Sequence, residues 1–286
     1  MDELESEQLL SSFQNINMLQ CINFDELTAD VIENNKIEIN QEIEAIESIF
    51  MQDVKVQHYK NAFVSISQEC KTFSLQIAAE LQFRIYPENK FPAQLTKVMS
   101  SSSADGIYDK FEEIKNQNDV RIRVYDFEYL PCFELTILIP VSYPSTSPPL
   151  FRISKQDFYS ECDALIQTRF AELFIAGFTC IFEWHSYLQD EFVGEFTTQN
   201  NIDCLRYSAA KREEYDDIQR RSKETFCFRF SNKETYCPIC YEELFGYEFD
   251  IVDGCYHYFC KTCMKDYLTN LISDGKTKDI KCPQSK

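Results

Sequence analysis

The sequence predicts an α+β protein in which helices cover one antiparallel sheet, followed by a charged linker helix and a small cysteine- and histidine-bearing module. Three observations carry that prediction. An isoleucine stripe runs at helical spacing through Asn40–Phe50, segments from Phe63 to Ile139 alternate apolar and polar residues, and six of the 13 cysteines crowd between Cys237 and Cys282.

Residues 1–35 are acidic and rich in asparagine, with short apolar patches at Leu9-Leu10, Ile22, Phe24 and Leu27. Such a composition buries too little to offset chain entropy, so a flexible acidic arm with at most one transient helix is expected. A folded domain is expected over residues 36–195. In Asn40–Phe50 the residues Ile43, Ile46, Ile49 and Phe50 recur at three- and four-residue steps, with Glu42, Glu44 and Glu47 opposite. Asn40 suits the N-cap, and Glu42 suits the positive end of the helix dipole. Phe63–Ser67, Phe73–Ile77, Leu81–Ile85, Val120–Val124 and Phe133–Ile139 alternate as half-buried strands do. Ser100–Asp105 reads as a polar loop, and Phe111–Lys115 as a helical turn inside an insertion. Tyr143-Pro-Ser-Thr-Ser-Pro-Pro149 places three prolines in six residues, which fixes φ and removes amide donors. A rigid extended turn is expected there, with Tyr143 packed over it. Helical patterns follow over Asp157–Phe174 (Phe158, Leu165, Ile166, Phe170, Leu173) and Phe178–Phe192 (Phe178, Ile181, Phe182, Trp184, Leu188). This order makes a sheet covered by helices. Residues 196–235 are a charged linker, its Lys211–Lys223 stretch a solvated helix with Asp216–Arg220 and Asp217–Arg221 paired at i,i+4.

The charge narrows the partners. Acids number 47 against 28 bases, a formal net charge of −19, and residues 1–60 hold 13 acids and three bases. A chain this acidic repels nucleic-acid phosphates and anionic headgroups, so neither nucleic acid nor membrane is an expected partner. Apolar runs such as Phe133–Val141 fall short of the ~20 residues a spanning helix needs. Met1-Asp-Glu-Leu-Glu5 is acidic where a secretory signal is basic and then apolar. A cytoplasmic or nuclear setting is the expectation.

The cysteine array runs Cys237-x2-Cys240-x14-Cys255-x-His257-x2-Cys260-x2-Cys263-x18-Cys282. A Cys-x-x-Cys turn brings two thiolates to one metal, and zinc takes four sulfur or nitrogen ligands in a tetrahedron. A redox Cys-x-x-Cys has no use for the added Cys-x-His, and a disulfide framework conflicts with a reducing compartment. Zinc is therefore the expected cofactor. Spacing alone leaves open whether neighbouring pairs or interleaved pairs share an ion. The other seven cysteines read as small buried hydrophobes or inert surface groups, Cys162 as packed in a helix, and His58 and His185 have no ligand context. Residues 231–286 hold nine acids and seven bases, which speaks against a nucleic-acid-binding finger.

Two resemblances follow. Gln41-Glu-Ile-Glu-Ala-Ile-Glu-Ser-Ile-Phe50 with the Tyr143–Pro149 turn resembles the RWD domain, a protein-binding module related in fold to ubiquitin-conjugating enzymes, here with a longer insertion. Phe151–Tyr159 lacks the His-Pro-Asn of those enzymes, so a conjugating activity is not expected. Cys237-Pro-Ile-Cys240, Cys255-Tyr-His-Tyr-Phe-Cys-Lys-Thr-Cys-Met-Lys-Asp-Tyr267 and Lys281-Cys-Pro283 resemble the first RING of RING-between-RING (RBR) ubiquitin ligases. The implied fold is an RWD-type helix-covered antiparallel sheet, a charged linker helix and a partial zinc-bound RING module over residues 236–286. That resemblance implies interleaving, with Cys237, Cys240, Cys260 and Cys263 on one zinc, and Cys255, His257 and Cys282 on a second. It places the eighth ligand at position 287, so a truncated chain is expected. It also implies recruitment of a ubiquitin-conjugating enzyme through Ile239 and Pro283, with Met264 as a third candidate, and ubiquitin transfer to a protein substrate selected by the RWD domain. The cysteine that accepts ubiquitin in that family has no candidate here. The alternative is a non-catalytic RWD interaction module with a degenerate zinc finger.

Overall fold

The computed structural model describes Phe13, Asn15 and residues 27–68, 71–88, 93–98, 111–115, 121–127, 129–154, 160–203, 205–209, 212–252, 255 and 257–284. The polar loop expected at Ser100–Asp105, Phe158, and residues 1–12 and 16–26 of the arm lie outside the described residues. Two units are present: Met1–Phe91 with Pro131–Asp203, and Pro92–Leu130 with Cys204–Lys286. Among the described residues, no helix is long and apolar enough to cross a membrane.

The first unit opens with helix α1, Ala29–Phe50, so the helix begins inside the stretch expected to be a flexible arm. Its cap is Thr28, whose hydroxyl accepts from the Val31 amide, with Asp30 in the first turn. Asn40 instead sits in mid-helix. Ile39, Ile43 and Ile46 are buried, whereas Ile49, expected in the core, is largely exposed at the last turn. Strands β1 (Val54–Gln68), β2 (Lys71–Ile85), β6 (Phe133–Pro140) and β7 (Leu150–Ile153) form an antiparallel sheet in the order β1-β2-β6-β7. The two strands expected at Phe73–Ile77 and Leu81–Ile85 are one, its change of phase absorbed by a register shift between Ile77 and Ala79.

One face of this sheet meets the helices. Phe151 packs edge-on to Phe170 of α2 (Ser160–Leu173) and to Trp184 of α3 (Ile181–Ser186). A π-helical Tyr187–Glu191 joins α3 to α4 (Phe192–Gln199), where Phe192 meets Phe133. Phe178, expected in this helix, lies before it and is exposed; Gly177 there has φ 86°, which breaks the helical pattern. On the other face, Leu75, Ile77, Leu138 and Leu150 form a smaller apolar cluster that receives Phe13.

The proline-rich segment is a run of tight turns rather than an extended one, with Tyr143–Pro144 cis. Side chains of α1 hold it. Asn35 donates to the Val141 carbonyl (3.0 Å) and the Ser145 hydroxyl (2.9 Å). The buried Tyr143 hydroxyl donates to Glu42 (2.8 Å) and accepts from the Cys180 amide (2.6 Å), and Glu42 also accepts from the Ile181 amide at the start of α3 (2.9 Å). Glu42 thus faces inward, not opposite the isoleucine stripe.

The second unit carries a sheet in the order β4-β5-β3-β8, from β3 (Ala93–Val98), β4 (Phe111–Lys115), β5 (Arg121–Phe127) and β8 (Leu205–Ala209). Phe111–Lys115 is therefore a strand, not the helical turn expected. Its antiparallel partner β5 decides the state, pairing Phe111 with Tyr125 and Ile114 with Ile122. Helix α5, Arg212–Ser231, is longer than expected and is not a solvated linker. Arg221, Thr225 and Phe230 are buried, and Ser222 donates to the Tyr129 carbonyl (2.6 Å). Arg221 does pair with Asp217 (3.0 Å), while Arg220 engages Asp217 and Glu224.

Two buried titratable groups in the first unit give opposing pH dependences. Burial, working against the Tyr143 and Ile181 hydrogen bonds, pushes the Glu42 carboxyl from 4.5 up to about 7. The folded state therefore favours protonated Glu42, a contribution complete below 4.5 and lost as pH rises through about 7. His185, whose ring lies tilted against Phe50 at 3.9 Å, is pushed by burial from 6.5 down to about 4, so its contribution is complete above 6.5 and lost as pH falls through about 4. Glu42→Gln leaves the histidine alone and makes the thermal midpoint climb between pH 4 and 6.5; His185→Gln makes it fall between pH 4.5 and 7. Each swing is bounded at about 3 kcal/mol, read by thermal unfolding across pH.

Candidate metal centre

The C-terminal module starts from a tight turn. Cys237, Pro238, Ile239 and Cys240 lie between β9 (Glu234–Tyr236) and β10 (Glu243–Phe245), which pair antiparallel. The turn closes through Tyr241 N–H to the Cys237 carbonyl (2.8 Å) and Cys237 N–H to the Glu242 carbonyl (2.9 Å). Tyr241 takes φ 61°, the left-handed geometry that lets the chain reverse immediately after the second thiol. A second hairpin, β11 (Phe249–Ile251) with β12 (Tyr258–Cys260), carries Cys255 and His257 between its strands. Its Val252 amide donates to the His257 carbonyl (2.8 Å). Cys260 then caps helix α6, Lys261–Ser273, its sulfur accepting from the Cys263 amide. Tyr267 on α6 donates to the Lys281 carbonyl (2.9 Å), which places Cys282.

The structure gathers the ligand atoms of Cys237, Cys240, Cys260 and Cys263 into one group, and those of Cys255, His257 and Cys282 into another, each within 4.8 Å of one another. The two groups interleave along the chain. All seven fit a zinc ion. At a Zn–S distance of about 2.3 Å, a tetrahedron has S···S edges of about 3.8 Å; Cys240 and Cys260 are 3.8 Å apart. That separation is far beyond a disulfide's ~2.05 Å, and these cysteines are free. In the second group Cys282 Sγ lies 3.4 Å from His257 Nδ1, close to the ~3.6 Å edge of a mixed sulfur–nitrogen site, so Nδ1 is the nitrogen aimed at the metal.

The first group is prepared for negative charge. Burial raises the Cys237 thiol, but amides of Cys240, Cys260 and Ile239 directed at its sulfur outweigh it and bring the thiol down to about 6. Cys260 sits at the N-terminus of α6, its sulfur directed at the first turn of that helix. The neighbouring Cys263 thiol is raised instead, first by its hydrogen bond with Cys260 and then by desolvation. Four adjacent thiols accommodate one charge readily and further charge only against a cation.

Around this group lies a compact apolar cluster of Phe230, Cys237, Phe249 and Cys260, with Phe226, Leu244 and Tyr258 against it. Phe230 belongs to α5, so the helix contributes directly to the module's small core. Gly246 meets the same helix end: a Cβ there would collide with the Phe230 carbonyl, and its amide bonds the Lys233 carbonyl (2.9 Å). Spacing in the sequence gives no hint of this close approach.

Of the three candidate surface residues, Ile239 is 44% exposed between two ligands. Pro283 is half-buried after Cys282. Met264 departs from expectation, being only 8% exposed. It lies one turn after Cys260 on α6, where the spacing turns its side chain inward.

An α+β sheet domain combined with an interleaved, two-centre cysteine–histidine module defines a two-part protein whose C-terminal part is a RING-type zinc finger; that family's model matches residues 237–283. The chain belongs to the RWD domain family, whose model matches residues 37–192, more than half of its length. It is similar to E3 ubiquitin-protein ligase RNF14 of Danio rerio, 23% identical over 197 residues, covering 57% of this chain and 43% of that protein. RNF14 of Homo sapiens is 25% identical over 207 residues, with 56% and 44% covered. E3 ubiquitin-protein ligase itt1 of Schizosaccharomyces pombe is 21% identical over 158 residues, with 54% and 35% covered. The matched stretch spans less than half the length of each of these relatives.

Gly246→Ala is expected to cost about 2–3 kcal/mol, because backbone must shift to admit the methyl group. Gly194→Ala in α4, where a Cβ meets nothing within 4 Å, is expected to be neutral or stabilising by up to about 1 kcal/mol. Urea unfolding of the metal-loaded protein distinguishes the two.

Proposed function

We propose that this chain carries the recruiting part of an RBR-type ubiquitin-protein ligase, a ubiquitin transferase working in the cytoplasm or nucleus. In this reading both metal groups hold zinc, the finger docks a ubiquitin-conjugating enzyme charged with ubiquitin, and the RWD domain selects a protein substrate. The observation that carries it is Ile239: a large apolar side chain, exposed, on a turn made rigid by ligands on either side. Exposed apolar groups on a stiff, crosslinked turn bind without losing much conformational freedom, which is what a recognition anchor requires. Two of the protein's exposed aromatics, Phe245 and Tyr247, stack at 5.7 Å on the strand and turn that follow. The names of the relatives support the same reading.

Zinc bound at the first group supplies the positive charge that stabilises four thiolates; the residues themselves position Ile239 and Pro283. Pro283 follows Cys282, so the second group governs its placement as the first governs Ile239. Tyr267, through Lys281, ties the Cys282 segment to α6.

A binding assay with ubiquitin-conjugating enzymes tests the reading. Ile239→Ala should weaken binding by at least about tenfold while leaving zinc content and the unfolding midpoint unchanged. Cys240→Ser should lose both binding and the metal of the first group. If Ile239→Ala binds such enzymes as the unaltered chain does, the docking surface lies elsewhere. If the unaltered chain binds none of them, the alternative stands: a non-catalytic RWD interaction module with a zinc finger that serves only its own fold.

A further inference from the structure

We propose that the outer edge of the first unit's sheet, at β7, is a peptide-recognition site for a Phe-x-Asn segment, held in cis by Phe13 and Asn15. Among the described residues β7 is the last strand of its sheet, and on its outer side the Pro149 carbonyl and the Phe151 amide face away from β6. Edge groups of this kind are where a sheet accepts another chain. Here the carboxamide of Asn15 meets both: its nitrogen donates to the Pro149 carbonyl (2.9 Å) and its oxygen accepts from the Phe151 amide (2.9 Å). One side chain reproduces the donor and acceptor of a neighbouring strand's peptide group. Asparagine can do this and aspartate cannot, because the site demands one donor and one acceptor.

Phe13 supplies the apolar half. It is 5% exposed among Leu75, Ile77, Leu138 and Leu150, on the sheet face opposite the helices, and the Arg152 guanidinium lies over its ring at 5.6 Å. Asn15 is 2% exposed. An aromatic anchor in a pocket, followed two residues later by a bidentate backbone contact, is the arrangement of a short linear motif on its receptor. Both contacts are made by side chains to a surface that is complete without them: the four-stranded sheet pairs through backbone bonds that involve neither residue. The occupant is thus separable from the receptor, and a partner presenting an aromatic residue two positions before an asparagine competes for the same place. Nothing in this inference depends on the ligase reading.

A tether of about a dozen residues holds a cis segment at an effective concentration on the order of millimolar. The test uses the full chain with a protease site placed between Asn15 and Thr28, compared before and after cutting. A labelled peptide of residues 8–20 is expected to enter the cut chain and to bind the uncut chain at least about tenfold more weakly. The same peptide with Phe13→Ala and Asn15→Ala should enter neither. Failure of the native peptide to enter the cut chain, or equal entry of the doubly substituted one, overturns the proposal. So does loss of the folded circular-dichroism signal on cutting, which would make the segment part of the core rather than an exchangeable ligand.

Discussion

The first unit depends on a carboxylate placed where a carboxylate is costly. Glu42 joins three segments that are distant in sequence: its own helix, the turn at Tyr143 and the start of the helix at Ile181. Each oxygen has a partner, and Tyr143 passes the connection on to the Cys180 amide. An apolar residue at position 42 would pack against the same neighbours but would leave the Tyr143 hydroxyl and the Ile181 amide without acceptors, at about 1–3 kcal/mol each. The turn closes through its own bonds, Tyr143 N–H to the Pro140 carbonyl (3.1 Å) and Thr146 N–H to the Ser142 carbonyl (3.0 Å), and is fastened to the helix by Glu42 on one side and Asn35 on the other. The helix face that the domain uses for its core is therefore also the template for its least regular segment.

The second unit solves a different problem. Its finger is too small to bury a core of useful size, and modules of this length rely on a metal to fold. The apolar cluster consists of Phe230, Phe249 and a few partners, and two of its members are themselves ligands, Cys237 and Cys260. Packing and ligation are thus the same atoms. The α5 helix reaches into this cluster with Phe230, whose ring meets both Phe249 (5.8 Å) and Tyr258 (4.8 Å). What reads as a linker by charge is, at its C-terminal end, a wall of the finger.

Legibility in the sequence followed the range of the interaction. The ligand spacing was readable because Cys-x-x-Cys turns and the Cys-x-His step encode their geometry within a few residues. The isoleucine stripe was readable for the same reason, since helical periodicity is local. Glu42 was misread because it borders that stripe, and only Tyr143, about a hundred positions away, decides that it turns inward. Phe111–Lys115 was misread because a five-residue segment is a strand or a turn according to its partner. Asn15 carried no periodic signal at all; its meaning resides in two backbone groups beyond residue 148. Met264 was a third candidate by resemblance alone, and the helix that carries it buries its side chain.

Both units use polar or ionisable groups where a larger protein would use apolar ones, and this ties each to a chemical condition. In the first unit burial disfavours the charged forms of both Glu42 and His185, so proton activity is the variable to which the unit answers. In the second unit, four thiols are brought within 4.8 Å, and their charge is tolerable only beside a cation, so metal activity and thiol oxidation state are the variables there. Ile239 lies between two of those thiols, so ligation at Cys237 and Cys240 would brace the turn that exposes it. The backbone bonds of Tyr241 and Cys237 close the same turn, so peptide geometry and thiol chemistry act on one short segment.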